Sequence, residues 1–278
     1  MEEEIRFLSS KRTGETKTLL LGCPLEETVT FRQGTRLGPP AIREASEGLE
    51  SFSPALNRDL EAVSFGDLGD LTFRRGDLDS SLSVIRQRAH HLFSSGRRVL
   101  ALGGEHLITL PLLEAAISVY PHLRLLQLDA HADLREEYQG QRLSHATVIK
   151  RILGLSKDVM VYQCGVRSGT QEEMNLARHS NQIQVLQRHG ICNNIFQNHP
   201  FYLTLDLDVL DPGVLPGTGT PEPGGWSFRA LEESLHALRG CQVVGADVVE
   251  LAPGLDPSGV SATVAAKVVR ELLLVISE

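Results

Sequence analysis

The sequence predicts an α/β fold in which a mostly parallel sheet is covered by helices on both faces. Eight short apolar segments are strand candidates, and most of them are separated by sequence with helical periodicity. This alternation favours parallel pairing, because parallel neighbours need a long crossover that is usually a helix. Two of the apolar segments also end in clusters of ionisable residues, and the carboxyl ends of parallel strands are where ligand sites form.

The strand candidates are apolar at successive positions, which is typical of strands buried between two helical layers. Glycine and proline are concentrated at 34–40, 103–104, 212–225 and 253–259, so we expect loops that shape a site in these regions. The predicted strands are Thr18–Gly22, Ala62–Phe65, Val99–Leu102, Leu123–Asp129, Val159–Gly165, Gln184–Leu186, Tyr202–Asp208 and Val243–Leu251.

Three helices are predicted from apolar residues that recur every three or four positions. The first follows Asp79 and ends before Gly96, since glycine is favoured just past a helix C-terminus. The apolar stripes are Leu82, Ile85, Ala89, Leu92 and Phe93 in the first helix, Leu231, Leu235 and Leu238 in the second, and Val264, Val268, Leu272 and Ile276 in the C-terminal helix.

Composition and charge limit the classes of partner. The chain has 278 residues, of which 41% are hydrophobic and 22% charged, as in ordinary globular proteins. No linker-like segment divides it, so residues 1–278 are predicted to form a single domain. The net charge of −8 disfavours nucleic acid and anionic membranes as partners and is compatible with a cationic substrate. No secretory signal or membrane-spanning segment is recognisable, so we expect a cytoplasmic protein.

Three predicted strands end in side chains that bind metal ions. Asp129, His131 and Asp133 alternate after one strand, so an extended backbone would point all three the same way. Two aspartates repeat this spacing after a second strand. After a third, a histidine follows Gly103 and Gly104, which allow a tight turn. One aspartate at a strand end is usually a turn or helix cap, but capping does not account for three such clusters. The candidate ligands are His106, Asp129, His131, Asp133, Asp206 and Asp208.

This ligand set predicts two manganese ions. Four carboxylates and two imidazoles exceed the three protein groups of a catalytic zinc site, and a carboxylate can bridge two ions. Oxygen-rich ligation with some imidazole suits Mn²⁺ better than Zn²⁺. Two divalent ions would also neutralise carboxylates that otherwise repel by roughly 4 kcal/mol per pair at about 4 Å. A water bound between two such ions ionises near physiological pH and is the expected nucleophile.

At these residues the chain closely resembles the ureohydrolases, the manganese enzymes that include arginase and agmatinase. The resemblance covers most of the chain, and its motifs are highly specific. Three signature motifs are present: Gly-Gly-Glu-His at 103–106, Asp-Ala-His-Ala-Asp at 129–133 and Asp-Leu-Asp-Val-Leu-Asp-Pro at 206–212. Further matches lie at 34–40, 66–70, 165–170, 216–225 and 248–253.

The resemblance implies a three-layer α/β/α sandwich around an eight-stranded sheet, and a homo-oligomer that is a trimer or a hexamer. It also implies a role for each candidate ligand, with Asp129 and Asp206 bridging the two ions. The first manganese would be held by His106, Asp129, Asp133 and Asp206, and the second by Asp129, His131, Asp206 and Asp208.

By the same resemblance, Glu250 is the guanidinium-binding glutamate and His145 is the active-site histidine. Glu250 would orient the guanidinium carbon, Asp133 would pass a proton to the departing amine, and His145 would shuttle protons at the mouth of the site. The expected reaction converts a cationic guanidino compound into urea and a primary amine. The structural alternatives are an ion pair between Glu250 and a lysine or arginine, and a capping role for His145. The Ser-His-Ala-Thr context of that histidine departs from the His-Gly-Thr-Pro of many relatives.

The loop at 134–143 differs from that of arginases, which place small polar residues there to bind the α-amino acid head of arginine. If Glu136 and Glu137 face the pocket, they would repel an α-carboxylate and tolerate a terminal ammonium. Glu222 is a third candidate for that contact. The stretch at 217–225 also looks more like agmatinases, so agmatine is the expected substrate.

Other functions fit the residues less well. A guanidinobutyrase would need a cation for the substrate carboxylate, and Arg135 or Arg142 are the candidates. An arginase-type ureohydrolase is a further alternative. A non-catalytic binding or assembly protein is disfavoured because the ligand set is complete, and a zinc deacetylase fits two histidines and four aspartates poorly.

Overall fold

The computed structural model describes residues 5–11, 16–187, 191, 193–196 and 199–277, and within them the chain forms ten strands. Eight of these build one central sheet, and the other two form a short antiparallel hairpin. The strands are β1 (Thr18–Cys23), β2 (Phe52–Ser53), β3 (Arg58–Asp59), β4 (Phe65–Asp70), β5 (Arg98–Gly103), β6 (Arg124–Leu128), β7 (Met160–Cys164), β8 (Ile183–Leu186), β9 (Phe201–Asp206) and β10 (Val243–Val249).

Every pairing in the central sheet is parallel, and the spatial order is β4-β1-β5-β10-β9-β6-β7-β8. The strands β5, β10, β9 and β6 are therefore adjacent, although they are far apart in sequence. Because all strands run the same way, their carboxyl ends meet at one edge of the sheet. That edge brings together the ionisable clusters that follow β5, β6 and β9.

Helices cover both faces of the sheet. They are α1 (Gly38–Ser46), α2 (Leu78–Ser94), α3 (Thr109–Val119), α4 (Val148–Leu153), α5 (Gln171–His179), α6 (Asn193–Phe196), α7 (Phe228–His236) and α8 (Val260–Ile276). Helices α1, α7 and α8 pack on one face, and α2, α3 and α4 pack on the other. Because side chains alternate along a strand, Leu100 and Leu102 of β5 lie in one core while Val99 and Ala101 lie in the other. The result is a three-layer α/β/α sandwich.

The three predicted helices are present as α2, α7 and α8. Helix α2 begins just before Asp79, because the side chain of Asp77 accepts a hydrogen bond from the Ser80 N–H at 3.1 Å and caps the first turn. Gly96 follows it with a φ of +73°, the left-handed conformation that favours glycine. Among the described residues, no helix is both long enough and apolar enough to cross a membrane.

One predicted strand is misplaced. The segment Ala62–Phe65 overlaps β4 only at its last residue, because Leu60–Ala62 forms a 3₁₀ turn. Strand β4 was not recognised because glycine and aspartate interrupt its apolar pattern. Its aspartates are accommodated by Arg43, which is buried beneath the strand and donates hydrogen bonds to both Asp67 and Asp70.

Gly103 and Gly104 are needed for close packing rather than for a turn, since neither adopts a positive φ. A β-carbon on Gly104 would overlap the carbonyl of Leu25, and one on Gly103 would lie 2.5 Å from Cγ1 of Val249. The exit of β5 therefore lies directly against neighbouring backbone, and this contact sets the position of His106.

Gly104→Ala is expected to lower the free energy of unfolding by about 1–3 kcal/mol, because the added methyl group meets rigid backbone. Gly254→Ala is the matched control, since no atom lies within 4 Å of its β-carbon position and its φ is not positive. The control is expected to stay within about 0.5 kcal/mol of the wild type. Urea denaturation measures both, and equal stability of the two variants would contradict the packing argument.

Candidate metal centre and substrate pocket

Four adjacent strands carry polar side chains to one point at the carboxyl edge of the sheet. His106 follows β5, Asp129 follows β6, Asp206 ends β9 and Glu250 follows β10. All four residues are buried, at 7% exposure or less. The strands are enclosed by two helical layers, so these side chains have little contact with bulk solvent.

A first group of possible metal ligands consists of His106, Asp129 and Asp133. Nδ1 of His106 lies 3.3 Å from Oδ2 of Asp129 and 3.0 Å from Oδ2 of Asp133. Oδ2 of Asp206 lies 3.4 Å from the same nitrogen. One imidazole nitrogen thus faces three carboxylate oxygens, an arrangement suited to a shared cation.

A second group consists of Asp129, His131 and Asp208. Nδ1 of His131 lies 2.8 Å from Oδ2 of Asp208 and 3.7 Å from Oδ1 of Asp129. Asp129 therefore belongs to both groups, with one oxygen facing each histidine. Asp206 links them as well, because its Oδ1 accepts the Asp208 N–H at 2.9 Å while its Oδ2 faces His106.

The chemistry of these atoms fits divalent cations. Among the described residues, His106 Nδ1 and Asp208 Oδ2 are buried and close to other ligand atoms but form no hydrogen bond of good geometry, which is costly unless an ion satisfies them. Burial and the charges of Asp133 and Asp208 raise the pKa of Asp129 to about 7. Burial lowers the pKa of His131, but the neighbouring carboxylates outweigh it and raise that pKa to about 11. The cluster carries an excess of negative charge, which bound cations would neutralise.

A hydrogen-bonded chain behind His106 fixes its ring. Nε2 of His106 lies 2.8 Å from Oγ1 of Thr204, and the Thr204 hydroxyl donates to Oδ1 of Asp247 at 2.6 Å. Tyr202 donates to Oδ2 of the same aspartate at 2.9 Å. Because the Thr204 proton is directed at Asp247, its oxygen is left to accept from Nε2–H of His106. In the neutral ring this tautomer leaves Nδ1 without a proton and available to a metal.

Two glutamines on neighbouring strands shape the segment 129–133. Gln127 of β6 donates to Oδ2 of Asp129 at 2.7 Å and to the carbonyl of His131 at 3.2 Å. Gln163 of β7 donates to Oε1 of Gln127 at 2.7 Å and to the carbonyl of Ala132 at 2.9 Å. The carboxylate shared by the two groups is thus held by the sheet beneath it.

Asp133 and Glu250 both adopt left-handed backbone conformations, with φ of +53° and +67°. Such conformations are unfavourable for residues with a β-carbon and often mark functional sites. The extended backbone expected over 129–133 ends at Asp133, whose side chain turns to His106. Both ends of the segment, Asp129 and Asp133, therefore belong to the first group, while His131 between them belongs to the second.

Glu250 has a buried carboxylate next to the first group. Its Oε1 accepts the backbone N–H of His106 at 2.7 Å. In the described part of the chain no lysine or arginine forms an ion pair with it, so the structural alternative for this residue is not observed. Burial, with a contribution from the charge of Glu105, raises the pKa of Glu250 to about 8. A buried carboxylate without a cation is a binding-site feature.

His145 lies on the pocket wall and is held by Thr28. Its Nδ1 lies 3.3 Å from Oγ1 of Thr28, and its backbone N–H donates to that oxygen at 3.1 Å. The Thr28 hydroxyl itself donates to Oε2 of Glu105 at 2.8 Å. The local 3₁₀ turn is capped by the side chain of Ser144, so capping is not the role of His145. Burial lowers the pKa of His145, which favours the neutral ring.

These groups line one pocket of about 610 Å³. Glu136 and Glu137 are not part of its wall, so the condition under which they would select the substrate tail is not met. Glu136 is exposed and pairs with Lys150 and Arg151, which draw it to the outer surface. The charged residues that line the wall besides the metal groups and Glu250 are Arg32, Arg135, Glu173 and Glu222.

Comparison with known proteins identifies the family. A family model described as the arginase family matches residues 16–275. The chain belongs to the arginase family. It is 39% identical to an agmatinase of Halalkalibacterium halodurans, over 98% of this chain and 96% of that protein. It is 40% identical to an agmatinase of Bacillus subtilis, over 94% and 92%. The crystal structure of agmatine ureohydrolase of Thermoplasma volcanium matches with a TM-score of 0.85 at 27% identity, over 98% of this chain and 94% of that one.

Membership of the arginase family confirms the resemblance and the three-layer fold that it implied. Sequence reasoning assigned no role to the residues that support the candidate ligands. The available signal was a polar residue inside an otherwise apolar strand, as at Gln127, Gln163, Thr204 and Asp247. Thr28 gave no such signal, because it lies in a loop and reaches His145 only through tertiary contact.

Asp129→Asn is expected to weaken divalent-metal binding in both groups, because Asp129 is shared by them. The loss should be at least the roughly 10–100-fold that substitution of outer-shell partners costs. Asp208→Asn belongs to the second group alone and is expected to retain metal in the first. Elemental analysis after equilibration in dilute Mn²⁺ compares the two variants. Wild-type metal content in Asp129→Asn would contradict the shared role.

Proposed function

We propose that this protein is a binuclear manganese hydrolase that converts agmatine and water into putrescine and urea. The observation that carries the proposal is one pocket lined by residues of two ligand groups that share Asp129, together with the buried carboxylate of Glu250. The similarity to proteins named agmatinase supports agmatine as the substrate. A single domain, a cytoplasmic location and a homo-oligomer (trimer or hexamer) are parts of the proposal that stay predictions.

Six residues would hold the two manganese ions. Their four carboxylates and two imidazoles form the oxygen-rich set that suits Mn²⁺. When bound, the ions supply an ionised water as the nucleophile at neutral pH. The proposed ligands are His106, Asp129, His131, Asp133, Asp206 and Asp208.

Glu250 would bind the guanidinium and aim its carbon at the metal centre. Burial raises the pKa of this carboxyl to about 8, and a guanidinium beside it favours the ionised form. Binding of the cation and ionisation of the carboxyl therefore reinforce each other. Because Oε1 is held by the His106 N–H, the carboxylate has a fixed position relative to a proposed ligand. Such positioning lowers the barrier through proximity.

Asp133 and His145 would move the protons. Asp133 would receive the proton released as the carbon–oxygen bond forms and give it to the amine nitrogen as the carbon–nitrogen bond breaks. The departing products are then urea and a neutral amine. His145, kept neutral by burial, would exchange a proton between the amine and solvent at the mouth of the pocket.

The pocket wall favours a cationic tail over a carboxylate tail. Nε of Arg135 lies 3.6 Å from Oε2 of Glu173, and its guanidinium lies 4.8 Å from the centre of the Tyr138 ring. Arg32 donates to two backbone carbonyl oxygens, at 2.6 and 3.1 Å. Arg142 does not line the pocket. Each arginine in the wall is already bound, which favours agmatine over guanidinobutyrate and arginine.

The decisive experiment is a urea-release assay of the manganese-loaded protein. Agmatine, arginine, guanidinobutyrate, guanidinopropionate and formiminoglutamate are compared by kcat/KM. We expect agmatine to be the preferred substrate. A preference for arginine or guanidinobutyrate would overturn agmatine as the substrate, and absence of urea from every compound would overturn the hydrolase itself.

Glu250→Gln is expected to reduce kcat/KM by at least about 100-fold, since it removes the charge that faces the guanidinium. Metal content should stay at the wild-type level, because Glu250 is not among the proposed ligands. Elemental analysis and the urea assay on the same preparation separate the two effects. Wild-type turnover by this variant would exclude the guanidinium role.

Thr28→Val is expected to reduce kcat at least tenfold and to alter its pH profile, because His145 loses the oxygen that holds it. Thr28→Ser keeps that oxygen and should restore most of the activity. The metal content of both variants is expected to match the wild type. Equal activity of the valine and serine variants would show that the hydroxyl does not position His145.

A further inference from the structure

We propose that Glu222 is the receptor for the terminal ammonium of the substrate and sets the length of the tail that is accepted. This inference rests on the proposed function, because it identifies the second binding contact of the same pocket. Glu222 lines the pocket, and its side chain is 36% exposed. Its Oε1 accepts a hydrogen bond from the Ser168 hydroxyl at 2.9 Å.

Among the carboxylates that line the described pocket, Glu222 is the one with capacity for a substrate cation. Glu173 is occupied, since its two oxygens accept the backbone N–H groups of Leu134 and Thr170 and it lies 3.6 Å from Arg135. Glu250 and the aspartates face the reacting end of the substrate. In the described residues, Ser168 is the hydrogen-bond partner found for the Glu222 carboxylate. A partly exposed carboxylate can accept an ammonium without a large desolvation cost.

The loop that carries Glu222 is fixed to the exit of β9. Arg167 donates from Nη2 to the carbonyl oxygens of Glu222 and Asp208, at 2.7 and 2.8 Å. Asp211 accepts the N–H groups of Gly224 and Gly225 at 2.9 and 3.1 Å. One guanidinium therefore joins the backbone of the proposed ammonium receptor to the backbone of a proposed metal ligand.

Ser168 fixes the carboxylate from the other side. It pairs with His131 in an isolated parallel bridge, and its hydroxyl holds Oε1 of Glu222. Glu222 is thus tied to both segments that carry the second ligand group. The distance between the reacting end and the ammonium receptor is set by backbone contacts rather than by a flexible loop, so the pocket selects for tail length.

Glu222 also lies near the metal centre, and this proximity offers a different role. Its Oε1 is 3.8 Å from Nε2 of His131, and a ligating histidine commonly donates its other N–H to a carboxylate. A residue that orients His131 would affect every substrate equally. An ammonium receptor would affect only substrates that carry the ammonium.

The test compares agmatine with butylguanidine, which has the same four carbons without the ammonium. Glu222→Gln keeps the shape of the side chain and an acceptor for Ser168, but removes the charge. It is expected to lower kcat/KM for agmatine roughly 10–100-fold and to leave that for butylguanidine within about twofold. If butylguanidine is not hydrolysed, its inhibition constant against agmatine provides the same comparison. The exposed Glu137, which lies outside the pocket, supplies the matched control Glu137→Gln.

Two further measurements bear on the proposal. Aminoalkylguanidines with three and five carbons should be poorer substrates than agmatine for the wild type, and Glu222→Gln should reduce that difference. Glu222→Arg should raise the activity with guanidinobutyrate relative to agmatine, because it reverses the charge. Parallel losses on agmatine and butylguanidine would overturn the inference in favour of the His131 role, and no loss on either would exclude both. Failure of the proposed function would appear separately, as a wild type that releases no urea from agmatine.

Discussion

The repulsion among carboxylates at the ends of two adjacent strands, β6 and β9, is the constraint on which this structure depends. Asp129 and Asp206 are buried at 0% and 3% exposure, and Asp208 lies at 1%. At separations of about 4 Å, each ionised pair costs roughly 4 kcal/mol even at an effective dielectric constant near 20. The parallel sheet forces this crowding, because all its strands end at the same edge. Divalent cations would neutralise this charge, and Nδ1 of His106, for which the described residues offer no hydrogen bond, points into the middle of the cluster.

Polar residues inside the sheet are the structural consequence of that constraint. Gln127, Thr204 and Asp247 lie in strands that are otherwise apolar, and each is fully buried. Burial raises the pKa of Asp247, so its carboxylate is retained at a cost to stability. The hydroxyls of Thr204 and Tyr202 offset part of this cost by donating to it. The network fixes the tautomer and the orientation of His106, which a purely apolar core could not do.

Much of the fold was predictable because it depends on local apolar pattern. Seven of the eight strands of the sheet were recognised. Strand β4 was missed beyond its first residue, since glycine and aspartate interrupt its apolar pattern and its partner Arg43 comes from a helix. The clusters of candidate ligands were visible because each follows its strand directly. The residues that hold His145 could not be recognised from the sequence, because Thr28 and Glu105 are 77 positions apart and meet only in the folded chain. Contacts of that kind arise only once the sheet order is known.

The pocket has two ends: one faces the reacting guanidinium, and the other faces the tail of the substrate. The reacting end is built from strand ends, where the geometry is dictated by the sheet. The selecting end is built from loops, and loops are free to change which groups they present. Here the loop arginines are already engaged by Glu173, Tyr138 and backbone carbonyls, while Glu222 faces the cavity. A carboxylate tail would have to displace the existing partner of an arginine. An ammonium tail could instead pair with the carboxylate of Glu222. The charged side chains of the wall that are not already paired therefore determine which guanidino compound is selected.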